Sequence, residues 1–368
     1  MTSQDTALLQ AAFDGGGLVD LEPGRVYDID QPLRIDRRVK IRGGFNAKIK
    51  AVGPVDQLLT ISVSGIAIED VAFDGAWNAG DGVVMEGCSN SIFTRCVFQR
   101  AIRDGVHHPS HDPDGNYLIN DRNTYLDCTW TQNGRVYRTA GFGTYIGRHV
   151  LAQQVHDLSD VSFTLSADRK TLGVSGWDPS FLRLGDPIRI ATEEHDVYRM
   201  IEEVGPNTIT LHKPMPEQHP IIGVAIGHGD GHYEKRHGDN NIHLFLGGLA
   251  RTNAGYQFAF AGLYGPKMLG VQLDTCPFWP IRVGERSSGP VIGSIFDGLY
   301  FEADAGAGSN FLLASALNFT IRHITERGGG NAGQYELAYT SGVRGAIVGN
   351  EGISSIGDTG FKIRAEAT

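Results

Sequence analysis

From residue 17 onward the chain alternates brief apolar and polar positions and breaks them with turn residues. Leu18, Val19 and Leu21, then Val26, Tyr27 and Ile29, then Leu33 and Ile35, then Val39 and Ile41 mark short strands. Pro23-Gly24, Gln31-Pro32 and Asp36-Arg37 separate them. Alternation with a period of two turns one face of each strand inward. Ahead of these runs, residues 5–13 predict one amphipathic helix with Leu8, Leu9, Ala12 and Phe13 on one side. Strand-like runs then recur at irregular spacings, at 68–75, 92–98, 124–130, 242–246, 269–273, 295–301 and 319–324. Each is too short to bury a core alone, so neighbouring units must stack as in a solenoid. Gly80-Asp81-Gly82 and Arg103-Asp104-Gly105 read as corners between them.

Residues 151–226 break this pattern. Phe163-Thr164-Leu165 and the runs 181–190, 196–200 and 207–211 are joined by Gly185-Asp186-Pro187 and Gly205-Pro206-Asn207. Such runs predict a small antiparallel β-barrel or sandwich inserted between two turns of the coil, which resumes near Gly227. The expected organisation is therefore 1–150, 151–226 and 227–368. A jelly roll or propeller would show hairpin strands or a longer repeat. An α/β fold would need amphipathic helices after the strands, and none follows Phe13.

The opening helix and the stretch Leu21-Glu22-Pro23-Gly24-Arg25-Val26-Tyr27-Asp28-Ile29, followed by Pro32-Leu33-Arg34-Ile35, resemble the start of the pectate-lyase-like superfamily. That resemblance implies an all-β, right-handed parallel β-helix with a capping helix at its open end. It also implies a long glycan as substrate, because the superfamily includes polysaccharide lyases, glycosidases, epimerases and phage tailspikes. Tailspike-like coils form parallel trimers, whereas single-chain lyases are monomers. A homotrimer is expected here, with Phe311-Leu312-Leu313 and residues 255–263 as the faces to be covered.

Composition narrows the partners. The chain has 368 residues with 49 glycines, and its net charge of −10 disfavours a nucleic acid, which needs a basic face. The glycines have no G-X-Y period and suit a fold with many corners. Cys88, Cys96, Cys128 and Cys276 lack metal-site spacing and are expected as reduced core residues. No apolar run approaches the length of a membrane span. The first residues have neither a basic nor an apolar signal region, so an extracellular or virion-associated protein would reach its site by another route.

Three clusters carry candidate chemistry. Residues 227–241 gather imidazoles, carboxylates, a phenol and cations. A lyase needs a base, a cation against the uronate carboxylate and an acid for the leaving oxygen, which His232, Tyr233, Lys235 and Arg236 would supply. A glycosidase would draw on Glu234 or Asp239; a solvated corner is the plain alternative. In Tyr300-Phe301-Glu302-Ala303-Asp304, the two carboxylates share a strand face roughly 6–7 Å apart. Inverting glycosidases hold theirs about 6.5–9.5 Å apart. Apolar neighbours and Asp304 would keep Glu302 protonated as the acid. The third cluster, Asp104, His107, His108, His111, Asp112 and Asp114, invites a metal, but Pro109 and Pro113 argue for an open surface loop beside the first cluster. His107 and His108 are assigned to substrate binding.

Trp279, in a corner expected to protrude, together with Tyr256 and Tyr264, would offer rings to sugar faces, and Arg282 would hold a carboxylate or hydroxyl. Trp130 follows the inward alternation. No cofactor is expected; scattered aspartates leave calcium open, although no Asp-x-Asp-x-Asp-Gly loop is present. The expected function is degradation of a bacterial surface or exopolysaccharide in an elongated groove. The carboxylate pair tips the choice to hydrolysis over β-elimination, and a non-catalytic phage-tail or adhesin module is the alternative.

Overall fold

The computed structural model describes residues 2–139, 155–194, 196–216, 219–235, 242–285, 290–305, 310–327, 335–338 and 343–348. Side chains 302–305, 326–327, 335–337 and 343–348 lie outside that description. The chain is a parallel β-solenoid of about 11 turns with one N-terminal helix and an additional sheet.

The helix Gln4–Gly15 starts where the Ser3 hydroxyl accepts the Thr6 N–H at 3.0 Å, and it stops at Gly16 in a left-handed conformation. Leu9 and Phe13 plug the end of the coil, whereas Leu8 is half exposed, so the apolar stripe is narrower than its sequence implied. Two parallel sheets, of eighteen and nine strands as described, form the coil walls.

Their inward faces stack like on like. Phe93, Tyr125 and Phe245 occupy one register column with ring centroids 5.0 and 5.1 Å apart. Phe73, Phe98 and Trp130 form another, at 5.6 and 5.7 Å. Each such contact contributes about 0.5–1.5 kcal/mol beyond area burial. Asn133 and Asn253 form a polar ladder at one corner, capping main-chain N–H groups of adjacent turns. All four cysteines are free and buried; Cys96 and Cys128 sit just inside a second corner, after the left-handed residues Arg95 and Asp127.

The chain leaves the coil after Asn133 and returns at Asp230. Between these points lies an eight-stranded third sheet that includes Arg135–Arg138 and runs from Val155–Asp157 to Ile221–His228. It is antiparallel apart from the pair Arg135–Arg138 and Val155–Asp157. It has its own core of Leu172, Ile188, Ile190, Ile201, Ile209, Leu211, Val224 and Ile226. This sheet takes up Arg135–Arg138, ahead of the 151–226 window drawn from sequence, and its last strand runs two residues past that window.

It packs against the outer face of the nine-stranded sheet. There Met200 joins Tyr233, Tyr256, Phe278, Trp279 and Leu312 in one apolar cluster. Phe311 and Leu313 point instead into the coil, and residues 258–261 and 263 are buried too. The apolar segments expected to be covered by other subunits are therefore buried within one chain, and they give no support to a trimer.

Candidate active site

Two short strands carry most of the candidate chemistry. Val106–His108 and His232–Lys235 pair in parallel, Val106 with His232, His107 with Tyr233 and His108 with Glu234. The clusters at residues 104–114 and 227–241 thus meet although a whole sheet intervenes in sequence, and His107 and His108 belong to a coil strand rather than an open loop. Alternation sends His107, Tyr233 and Lys235 outward, and His108, His232 and Glu234 inward.

The turn before these strands repeats one device. Asp81-Gly82, Asp104-Gly105 and Asp230-Gly231 fall in register on successive turns, with Gly82 N–H donating to Asp104 O and Gly105 N–H to Asp230 O. A Cβ on Gly82, Gly105 or Gly231 would meet the next turn's carbonyl oxygen at 2.5, 2.7 or 2.6 Å, so the turns approach this closely only through glycine. The result is a ladder of three buried carboxylates along the site.

Arginines neutralise that ladder. Arg103 contacts both oxygens of Asp81 at 3.1 and 2.8 Å. Arg183, from the third sheet, holds Asp104 at 2.6 and 3.0 Å, reaches Asp230 at 3.3 Å, and lies 4.3 Å over the Tyr233 ring. His107 Nδ1 faces Asp81 at 3.5 Å and Asp104 at 3.9 Å, its side chain is 24% exposed, and its ring lies 5.4 Å from that of Tyr233. Lys235, 31% exposed, pairs with Glu285 at 3.1 Å.

Burial and Glu285 raise the Tyr233 phenol, against the pull of Arg183 and Arg282, so it stays protonated. Burial lifts Asp230 to about 7, helped by Asp104 and Asp186 and opposed by Arg183 and Arg282. Asp81, despite burial, is pulled below the usual carboxylate range by His107 and Arg103. Asp81, Asp104 and His107 have metal-ligand geometry, but any cation there competes with Arg103 and Arg183 for the same oxygens.

The remaining expected site residues scatter. Glu234, His232 and His108 are fully buried inside the coil, so no substrate touches them. Trp279 and Tyr256 are also fully buried, under the third sheet, because the corner expected to protrude is covered by Met200 and Tyr198. They are packing residues and offer no sugar platform. Tyr256 donates its hydroxyl to Gly185 O at 2.8 Å. Arg282 is buried against Glu285 at 3.1 Å and lies 5.2 Å from the Tyr256 ring, so it docks the third sheet and is not open to a ligand.

Tyr264 is 40% exposed and alone keeps an open ring among the three aromatics named for sugar contact. Arg236 and Asp239 lie outside the described residues. Glu302 and Asp304 lie on the strand Tyr300–Ala305, with their side chains outside the description. Asp81, Arg103, Arg183 and Glu285 were missed in sequence. The repeated Asp-Gly step was the available signal for the first, and nothing local marks Arg183, whose partner Asp104 is 79 positions away.

No family model matches the chain, and no curated protein matches its sequence. Among solved structures it is similar to ORF18 of Geobacillus virus E2, with 10% identity and a TM-score of 0.44 over 94% of this chain. The chain spans 57% of the length of that protein. It is also similar to the mannuronan C-5 epimerase AlgE4 A-module of Azotobacter vinelandii, with 13% identity, TM-score 0.36 and 96% of each chain covered. A third likeness is to an alginate lyase from Paenibacillus sp. str. FPU-7, with 11% identity, TM-score 0.35 and 94% of each covered. At such scores no activity or residue role passes from these proteins to this chain.

Proposed function

We propose that this chain is a polysaccharide lyase that cleaves a uronate-containing glycan by β-elimination on the outer face of the coil. The observation that carries the reading is the pairing of His107 and Tyr233, adjacent in register and 5.4 Å apart, between Arg103, Arg183 and Lys235.

His107 acts as base and takes the C5 proton, with Asp81 and Asp104 orienting its ring through Nδ1. The C5 electron pair forms the C4–C5 double bond as the C4–O4 bond breaks. Tyr233, kept as a phenol and with 4% of its surface still reaching solvent beside the third sheet, donates its proton to the departing O4. Lys235 and the arginines oppose the negative charge that builds on the uronate carboxylate as C5 loses its proton.

Hydrolysis needs two carboxyl groups available to the sugar. Among the described side chains of this face, Asp81, Asp104 and Asp230 are tied to guanidinium groups and Glu234 faces the interior, while Glu302 and Asp304 lie outside the description. That contrast moves the reading from hydrolase to lyase. The test is product chemistry over a panel of uronate polysaccharides. Release of ultraviolet-absorbing unsaturated uronate is the expected outcome. New reducing ends without that absorbance would transfer the case to hydrolysis, and binding without cleavage would favour a glycan-binding module.

A further inference from the structure

Inside the coil, two register columns run almost wholly apolar. One reads Leu33, Leu59, Val83, Val106, then His232, then Phe258, Ile281 and Phe311; the other places His108 beside Glu234, followed by Phe260, Val283 and Leu313. His108, His232, Glu234 and a further residue, His243, are fully buried among Trp130, Phe245, Phe258 and Phe260. A carboxylate in such a setting must be compensated by positive charge.

Donor atoms of His108, His232 and Glu234 lie within 4.8 Å of one another; His243 adjoins them through the carboxylate, and the Tyr125 hydroxyl lies 2.8 Å from His108 Nε2. His232 Nε2 lies 2.8 Å from Glu234 Oε1, His243 Nδ1 lies 2.9 Å from the same oxygen, and His108 Nε2 lies 3.8 Å from it. Ligand atoms around a tetrahedral ion with bonds near 2.0–2.1 Å stand roughly 3.3 Å apart, the middle of this range. His243 Nε2 donates to the Asn120 carbonyl at 2.7 Å, which fixes the tautomer and leaves Nδ1 to face the carboxylate. Ligating histidines are commonly held by such a bond from the other ring nitrogen. Nδ1 is close to Oε1 but out of line for a hydrogen bond, and Glu234 Oε2 is buried with no hydrogen-bond partner among the described residues.

We propose that His108, His232, His243 and Glu234 form a structural site for a divalent transition ion of the zinc class, enclosed in the coil and separate from the outer-face reaction. His108, His232 and Glu234 supply two imidazoles and a carboxylate within 4.8 Å of one another, which suits zinc, and His243 brought onto the ion would complete the closed four-ligand set of a structural site. The ligands come from the turn before the third sheet and the two segments that follow its return. The ion would staple the solenoid where its chain is interrupted.

The test is metal content of the full chain after expression with zinc and exhaustive dialysis. About one zinc per chain is expected, retained in His107→Ala and lost in His243→Phe and Glu234→Gln. If those two variants do not fold, the wild-type chain grown in cobalt provides the second reading: visible ligand-field bands and a nitrogen-and-oxygen absorption edge are expected. Refolding in the presence of a chelator should also lower the melting midpoint relative to refolding with zinc. A folded wild-type chain without stoichiometric metal, melting identically after both refoldings, overturns the proposal and leaves a proton-compensated network. So does zinc that is lost in His107→Ala but kept in His243→Phe.

Discussion

The inner and outer faces of the same two strands, Val106–His108 and His232–Lys235, hold similar residue types in opposite circumstances. Outside, His107 and Lys235 reach solvent beside a ladder of carboxylates already matched by arginines. Inside, His108, His232 and Glu234 are enclosed by aromatic rings and face one another, His243 and Tyr125, whose hydroxyl lies 2.8 Å from His108 Nε2. A single step along the strand separates the two situations, because side chains alternate faces. Adjacent imidazoles in sequence are therefore no guide to shared work: in the proposed scheme one serves proton transfer, its neighbour the metal site inside the coil.

The largest expected effect tests the outer face. His107→Ala and Tyr233→Phe should each lower turnover by about 10²–10⁴-fold, as expected for a lost general base or acid. Urea unfolding should change little. Equal loss of stability and activity would mean that these side chains act through the fold alone.

The inner face should respond in the opposite currency. Glu234→Gln leaves buried imidazoles without their carboxylate and should lower unfolding free energy by about 3–5 kcal/mol, measured by urea titration. A change below 1 kcal/mol would place the cluster in a wetter setting than its burial implies.

A histidine in the third sheet sharpens the contrast through pH. Burial, with help from Lys213 and Arg199, pushes His212 down to about 3, so it folds as the neutral ring. Its contribution is complete above about 6.5 and is lost as pH falls from there toward 3. The stability gap between wild type and His212→Gln should narrow by about 2 kcal/mol between pH 7 and pH 5. Urea titrations at the two pH values measure it, and a constant gap would refute the assignment.

The smallest effect is expected at an exposed corner. Arg95 pairs with Glu69 at 2.6 Å and Asp70 at 2.7 Å, yet its side chain is 49% exposed. Solvent screens such pairs, so Arg95→Ala should change stability least of these variants, read from the same titration. A loss as large as that of Glu234→Gln would dissolve the distinction between inner and outer ion pairs.

Much of the architecture was legible locally. Short alternating runs with glycine and aspartate corners required stacked turns, and the apolar side formed by Leu8, Leu9, Ala12 and Phe13 required a helix at the coil's end. The break in pattern at residues 151–226 announced an additional sheet, because its strands lack the coil's spacing, but not its first strand, Arg135–Arg138. These features depend on residue order over a few positions, where backbone geometry and period-two burial suffice. What the sequence could not decide was which polar residues meet, and in what medium. Trp279 looked exposed because its covering residue, Met200, comes from another sheet. Glu234 looked catalytic because its neighbours in sequence are polar, while its neighbours in space are three histidines inside an aromatic core. Arg183 meets Asp104 and Asp230 only once the third sheet has docked on the coil. Pairing and burial over such separations follow from stacking and docking, and only the tertiary structure sets them.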